Sequence, residues 1–180
     1  MNSSTKKLFS ERLVLIPMNE SFCSHSYLSW LNDPEVYKYL ESEGNYTMDA
    51  LKKYIENAVK NKLFFWAICI KCNGKHIGNI KIDPIHPIHG LGEYGIMIGE
   101  KSEWGKGYAF EASKLVIDYC FYTLGIRKIN LGVDEENISA VNLYKKLGFI
   151  TEGLYKNHIV YDSKYHNSLR MALFSPTYTY

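Results

Sequence analysis

Residues 98–109 read Ile-Gly-Glu-Lys-Ser-Glu-Trp-Gly-Lys-Gly-Tyr-Ala, and the reading of this stretch decides the fold. An apolar, strand-like segment, Tyr94 to Ile98, leads into it, and a long helical pattern starting near Gly107 follows. Gly105 and Gly107 carry no Cβ, so backbone amides there can approach a ligand closely. At a helix N-terminus, unpaired N–H groups and the helix dipole favour an anion. Strand, glycine turn and helix, in that order, read as a pyrophosphate cradle.

Two common diphosphate loops do not fit it. A P-loop needs Lys-Ser/Thr after its second glycine, whereas Tyr108 and Ala109 follow Gly107. A dinucleotide fingerprint needs a third glycine three residues on and an acidic residue about 20 positions later. Position 110 is Phe. The segment instead resembles the Arg/Gln-x-x-Gly-x-Gly/Ala motif of the GNAT superfamily of acyl-CoA-dependent N-acetyltransferases. Trp104, Gly107 and Ala109 fall on its fixed positions. Trp104 stands where Gln or Arg is usual, as in the branch with the ribosomal-protein alanine and spermidine acetyltransferases.

A second element strengthens the resemblance. Asn137-Ile-Ser-Ala-Val-Asn-Leu-Tyr-Lys-Lys-Leu-Gly-Phe149 is similar to the later signature of the same superfamily. Asn137 suits a helix N-cap, Ala140, Val141, Tyr144 and Leu147 share one helical face, and Gly148 suits a helix stop. The resemblance runs from Glu11-Arg12-Leu13-Val14-Leu15 to Arg170-Met171.

Composition agrees with an ordinary globular chain. Its 180 residues suit one domain, 1–180, large enough to bury a core. At 46% hydrophobic and 22% charged it reads as neither disordered nor membranous. A net charge of +2 with scattered lysines makes no case for nucleic acid. No run of about 20 apolar residues would span a bilayer. Met1 to Lys7 lacks the apolar core of a signal peptide, so a cytoplasmic setting is expected. Cys69 and Cys72 form a Cys-x-x-Cys, but they lie on a strand running into Asn73-Gly74, not at a helix N-terminus. Reduced strand cysteines are expected, and no His/Cys cluster suggests a metal.

Along the chain, strands are expected at 11–17, 64–71, 76–82, 91–98, 128–133, 150–161 and 165–174. Helices are expected at 22–31, 34–40, 47–60, 107–124 and 140–147. Asn73-Gly74 marks one hairpin and Asp162-Ser163 another. A meander followed by alternating helices and strands implies a mixed sheet covered by helices, an α/β (α+β) fold. The resemblance makes this one GNAT-like domain, with helices on both faces of a sheet splayed between two parallel strands.

Acetyl transfer to an amine needs a neutral nucleophile, a stabilised oxyanion and a proton for the departing thiolate. The resemblance implies direct transfer in a ternary complex, with acetyl-CoA in the splay. Backbone groups of Ile96, Met97 and Ile98 would pair with the pantetheine arm as an added strand would. Amides of Trp104, Gly105, Lys106, Gly107, Tyr108 and Ala109 would hold the pyrophosphate. The Lys106 charge either supplements them or is simply solvated. Tyr144 matches the family tyrosine proposed to contact the cofactor and protonate the thiolate. Asn137 either hydrogen-bonds the cofactor or only caps its helix.

Glu93, just before the cradle's strand segment, is the candidate general base, although strand alternation could turn it to the other face. Asp83 and His89, on the neighbouring strand and loop, are candidate acceptor contacts, with His89 a second choice of base. Trp30 lies in Trp30-Leu-Asn-Asp-Pro-Glu-Val36, similar to a helix that shapes acceptor pockets in this branch. The runs 76–82 and 96–108 resemble enzymes acting on nucleotide-linked amino sugars, which makes a small-molecule amine the expected acceptor. Peptide N-termini of the ribosomal-protein type and polyamines are the alternatives, and a homodimer is compatible with such a chain. From another class, a non-catalytic CoA-binding sensor or scaffold also fits, although the presence of Tyr144 and both glycines weighs against it.

Overall fold

The computed structural model describes residues 5–40, 44–161 and 163–177. Asp162, half of the expected second hairpin turn, lies outside the described residues. The strands are β1 (Leu8–Phe9), β2 (Leu13–Pro17), β3 (Phe64–Ile70), β4 (His76–His86), β5 (Leu91–Ile98), β6 (Lys128–Asp134), β7 (Ile150–Tyr161) and β8 (Lys164–Phe174). The helices are α1 (His25–Asn32), α2 (Pro34–Tyr37), α3 (Met48–Lys60), α4 (Tyr108–Tyr122) and α5 (Ile138–Lys146). Hydrogen bonding orders the strands β1-β2-β3-β4-β5-β6-β8-β7. The β5–β6 pair is parallel, as expected of a mixed sheet, with register Leu91–Lys128, Gly92–Ile129 and Glu93–Asn130.

The chain forms two compact units, Met1–Asp83 with Gly95–Val116, and Pro84–Tyr94 with Ile117–Tyr180. Strands β4 and β5 and helix α4 each begin in one and end in the other.

In the first unit, β3 is buried along almost its whole length, as an inner strand must be. Side-chain oxygens of Ser24, Asp33 and Thr47 cap α1, α2 and α3. Each satisfies a backbone N–H that the helix leaves orphaned. Helix α3 buries Leu51, Ile55 and Ala58, spaced four and three apart, against a core that includes Tyr27, Trp30, Leu31 and Phe65. Ser24 delays α1 until His25, three residues later than expected, and a short 3-10 turn, Glu20–Phe22, precedes it. Strand β4 runs past the expected Ile82. The first residue of β3, Phe64, pairs with Ile82, so Pro84 lies beyond the β3 ladder. Gly74 turns the β3–β4 hairpin with φ +70°. All four cysteines are free, with Cys69 buried on β3 and Cys72 exposed in the turn.

In the second unit, β8 lies between β6 and β7 and is antiparallel to both. Ile129, Leu131 and Val133 of β6 are buried, whereas Lys128 and Asn130 are half-buried and Gly132 is exposed. Period-two alternation thus gives this strand one core face and one open face. Helix α5 buries Val141 and Tyr144, and the rings of Tyr94, Tyr144 and Phe149 contact one another with centroids 5.8–6.0 Å apart.

Candidate active site

The glycine turn of the first unit precedes α4. Gly105 and Gly107 adopt φ +74° and +81°, a region that side chains disfavour, and both are exposed. A Cβ on Gly105 would meet nothing within 4 Å. That is open room for a phosphate group beside the first amides of α4. Trp104 explains its own presence in the motif: its indole Nε1–H donates to the Ile98 carbonyl at 2.7 Å. The bond ties the loop to the end of β5, where Ile96, Met97 and Ile98 are half-buried.

A residue absent from the sequence expectations locks the other side of the loop. Arg12 donates from Nε to Glu111 Oε2 at 2.7 Å and from Nη1 to the Lys106 carbonyl at 3.0 Å. Its guanidinium also lies 4.6 Å from the centroid of the Tyr108 ring. Burial opposes ionisation of Glu111, but hydrogen bonds from Ser10 and Arg12 outweigh it and hold this carboxyl below the usual glutamate range. The Lys106 ammonium pairs with Glu103 at 2.8 Å, so its charge is already engaged within the loop.

Two acceptor expectations fall in this unit. Trp30 is only 5% exposed. It packs edge-on against His76, and a Cβ on Gly99 would collide with its ring. Trp30 is therefore packed within the core of this unit. Asp83 is half-buried on β4. Burial, then the charges of Tyr46 and Asp83, push the Tyr54 phenol up to about 12.

In the second unit, Asn137 caps α5 by accepting from the Ala140 N–H at 3.2 Å through Oδ1. Tyr144 follows two turns later, 7% exposed, and burial pushes its phenol up to about 12. Glu93 turns toward the open face, where Arg170 Nη2 donates to its Oε1 at 2.8 Å. That oxygen is engaged by a charge-assisted bond, and the carboxylate has a second oxygen. Arg170 runs across Gly132, where a Cβ would lie 2.6 Å from its Nη1. Beside the pair is a hollow lined by Lys128, Asn130, Glu152, Tyr155 and Arg170.

His89 is exposed in the turn before β5, and its carbonyl accepts from Arg127 Nε at 2.7 Å. It thus borders the start of β6, while Asn137 follows its end. Seven residues of strand span roughly 20 Å. His89 and Asn137 therefore stand at opposite ends of β6. Among the described residues, no group of three or more His, Cys, Asp or Glu side chains is arranged to hold a metal ion. No described helix is long and apolar enough to cross a membrane.

Glycine cradle, capped signature helix and buried tyrosine on a mixed sheet define an acetyltransferase fold of the acyl-CoA-binding kind. The acetyltransferase (GNAT) domain family matches residues 12–150, and the chain belongs to it. It is 36% identical over 109 residues to a spermidine N(1)-acetyltransferase of Escherichia coli (strain K12), covering 61% of this chain. The match spans 58% of that relative's length. An uncharacterized N-acetyltransferase, p20 of Bacillus licheniformis, is 29% identical over 155 residues, covering 84% of this chain and 86% of p20. The crystal structure of a Vibrio cholerae spermidine N-acetyltransferase in complex with CoA and spermine superposes with a TM-score of 0.83 at 24% identity. It covers 92% of this chain and 97% of that one, a likeness of fold.

Proposed function

We propose that this chain, acting as one domain of residues 1–180, transfers acetyl from acetyl-CoA to a primary amine of a small molecule. The observation that carries the reading is the exposed Gly105–Gly107 turn at the head of α4, both glycines at positive φ, with open room beside Gly105. Its amides, from Trp104 to Ala109, suit the pyrophosphate. The backbone of Ile96 to Ile98 suits the pantetheine arm, and Asn137 suits a second polar contact. Acetyl-CoA supplies the activated acyl group, and a cytoplasmic setting goes with that donor. Tyr144, kept protonated by burial, is the proton source for the departing thiolate. Glu93 and Arg170 mark where the acceptor lies, Glu93 holding a cationic amine.

The spermidine acetyltransferases among the relatives support a polyamine acceptor. The nucleotide-linked amino sugar is the second reading, favoured by Lys128, Arg170 and Tyr155 around one hollow, which suit phosphates and a planar base. Acetyl-CoA consumption should be measured with spermidine, nucleotide amino sugars and peptide amines. The reading expects amine-dependent release of free CoA, fastest with spermidine. Acetyl-CoA binding without turnover on any amine would overturn it in favour of a sensor or scaffold.

A further inference from the structure

At the far end of β6 from His89 is a second polar group that the roles above leave unused. Asp134, the last residue of β6, has a fully buried side chain. Its Oδ1 accepts from the Glu136 N–H at 2.8 Å, while its Oδ2 is buried without an aligned hydrogen-bond donor. The Nδ1 of His166, on β8, stands 3.2 Å from that Oδ2 and 3.5 Å from Glu136 Oε2. The edge of the imidazole faces the Tyr161 ring of β7, with centroids 5.4 Å apart. On its own strand, Asn167 is tied to Glu135 at 2.7 Å. The charged and titratable groups around the ring are thus Asp134 from β6, Glu136 from the loop before α5, and Tyr161 from β7.

A buried carboxylate oxygen without a donor is costly, and an Nδ1–H on His166, 3.2 Å away, would serve it and leave the lone pair on Nε2. A buried aspartate that orients a histidine through Nδ1–H is how the Ser-His-Asp triad makes its histidine a general base. The pair stands at the end of β6 that leads into the signature helix. The Asn137 N–H donates to the Asp134 carbonyl at 3.0 Å, so the dyad adjoins the head of the α5 signature helix. Glu93, opposite Asn130, is four residues back along β6, roughly 13 Å away. A polyamine, with amines at both ends, can present one cation to Glu93 and one amine to His166.

We propose that His166, held by Asp134, is the proton acceptor for the reacting amine, an inference that rests on the acetyltransferase reading above. The ammonium gives one proton to Nε2 of His166, forming an imidazolium that later loses it to solvent. The neutral nitrogen attacks the acetyl carbonyl carbon, an N–C bond forms and the C–S bond breaks. A second proton leaves the nitrogen and the thiolate receives one, through Tyr144, so CoA departs as the thiol.

The test compares full-length wild type with His166→Gln and Asp134→Asn, using acetyl-CoA and spermidine across pH. His166→Gln should lower kcat/KM near pH 7 by roughly 10²-fold and recover in part at high pH, where the amine arrives neutral. Acetyl-CoA affinity should stay within a few fold, which a merely structural role would not preserve. Asp134→Asn should give a smaller loss of the same pH shape. Wild-type rate and pH profile in His166→Gln would overturn the inference alone. Wild type that acetylates no amine would overturn the acetyltransferase reading and the inference together. Should the variants not fold, histidine nitrogen NMR of wild type decides. A proton on Nδ1 with a lone pair on Nε2 is expected, and the opposite tautomer overturns the assignment.

Discussion

Arg170 and Glu93 meet on the open face of the second unit's sheet, guanidinium Nη2 to carboxylate Oε1 at 2.8 Å, with both side chains about one-third exposed. The two residues come from strands on either side of β6, and Gly132 between them lets the arginine cross without a Cβ in its path. The pair sets one carboxylate oxygen in a fixed place, and the amine proposed above falls to the other.

Glu93→Gln should therefore act mainly on acceptor binding. The amide keeps the shape but loses the charge, so KM for the amine should rise roughly tenfold while kcat changes little. Steady-state kinetics with spermidine at several pH values check this. A loss confined to kcat, recovering at high pH, would return Glu93 to the role of base.

The cradle offers a prediction that needs no acceptor. Acetyl-CoA binding only the folded protein should raise the melting temperature by mass action. Gly107→Val should reduce that shift, because a β-branched residue at φ +81° is strained and crowds the loop. Trp104→Phe should reduce it less, by removing one hydrogen bond to Ile98 while keeping a ring. Undiminished shifts in folded forms of both variants would remove the cradle from the site.

What was legible in the sequence was local. The Asn137 cap, the Gly148 stop and the Asn73-Gly74 turn each follow from chemistry within a few residues, and the structure has all of them. Arg12 and Arg170 were not legible. Their partners, Glu111 and Glu93, are 99 and 77 residues away in sequence, and only the strand order brings each pair together. The same holds for β8, whose hairpin with β7 was readable but whose place beside β6 was not. The reading of Trp30 rests on the likeness of residues 30–36 to an acceptor-pocket helix, and such a likeness does not say how deeply the ring packs.

A pH dependence of stability follows from His76. Burial depresses its pKa below the ordinary 6.5, partly offset by hydrogen bonds with Asn79 and Gly78. The rings of Phe22, Tyr27 and Trp30 enclose it. The unfolded chain then binds a proton that the folded chain resists, so stability is full above about pH 6.5 and falls as the pH drops below it. The melting temperature should decline from pH 7 to 5, ahead of the loss due to Glu111, whose depressed pKa acts only below about 4.5. His76→Gln should be less stable at pH 7 because ring packing is lost, yet flatter across this window. An equal slope in the variant would exclude His76 as the source.

Tyr144→Phe tests the chemistry most directly. The hydroxyl is removed while the ring, in contact with Tyr94 and Phe149, keeps its packing, so the fold should persist. Acetyl-CoA affinity should remain within a few fold, since the cradle lies on other residues. Loss of a positioned acid should lower kcat by roughly 10²-fold or more if expulsion of the thiolate limits the rate. With the phenol pushed up to about 12, Tyr144 stays protonated at any ordinary assay pH, so it should contribute no alkaline limb to the wild-type profile. Replacing acetyl-CoA with a thioester whose leaving thiol is more acidic should then narrow the gap between wild type and variant, because a better leaving group needs its proton less. A gap independent of the leaving group would assign Tyr144 to packing and leave the thiolate to find its proton elsewhere.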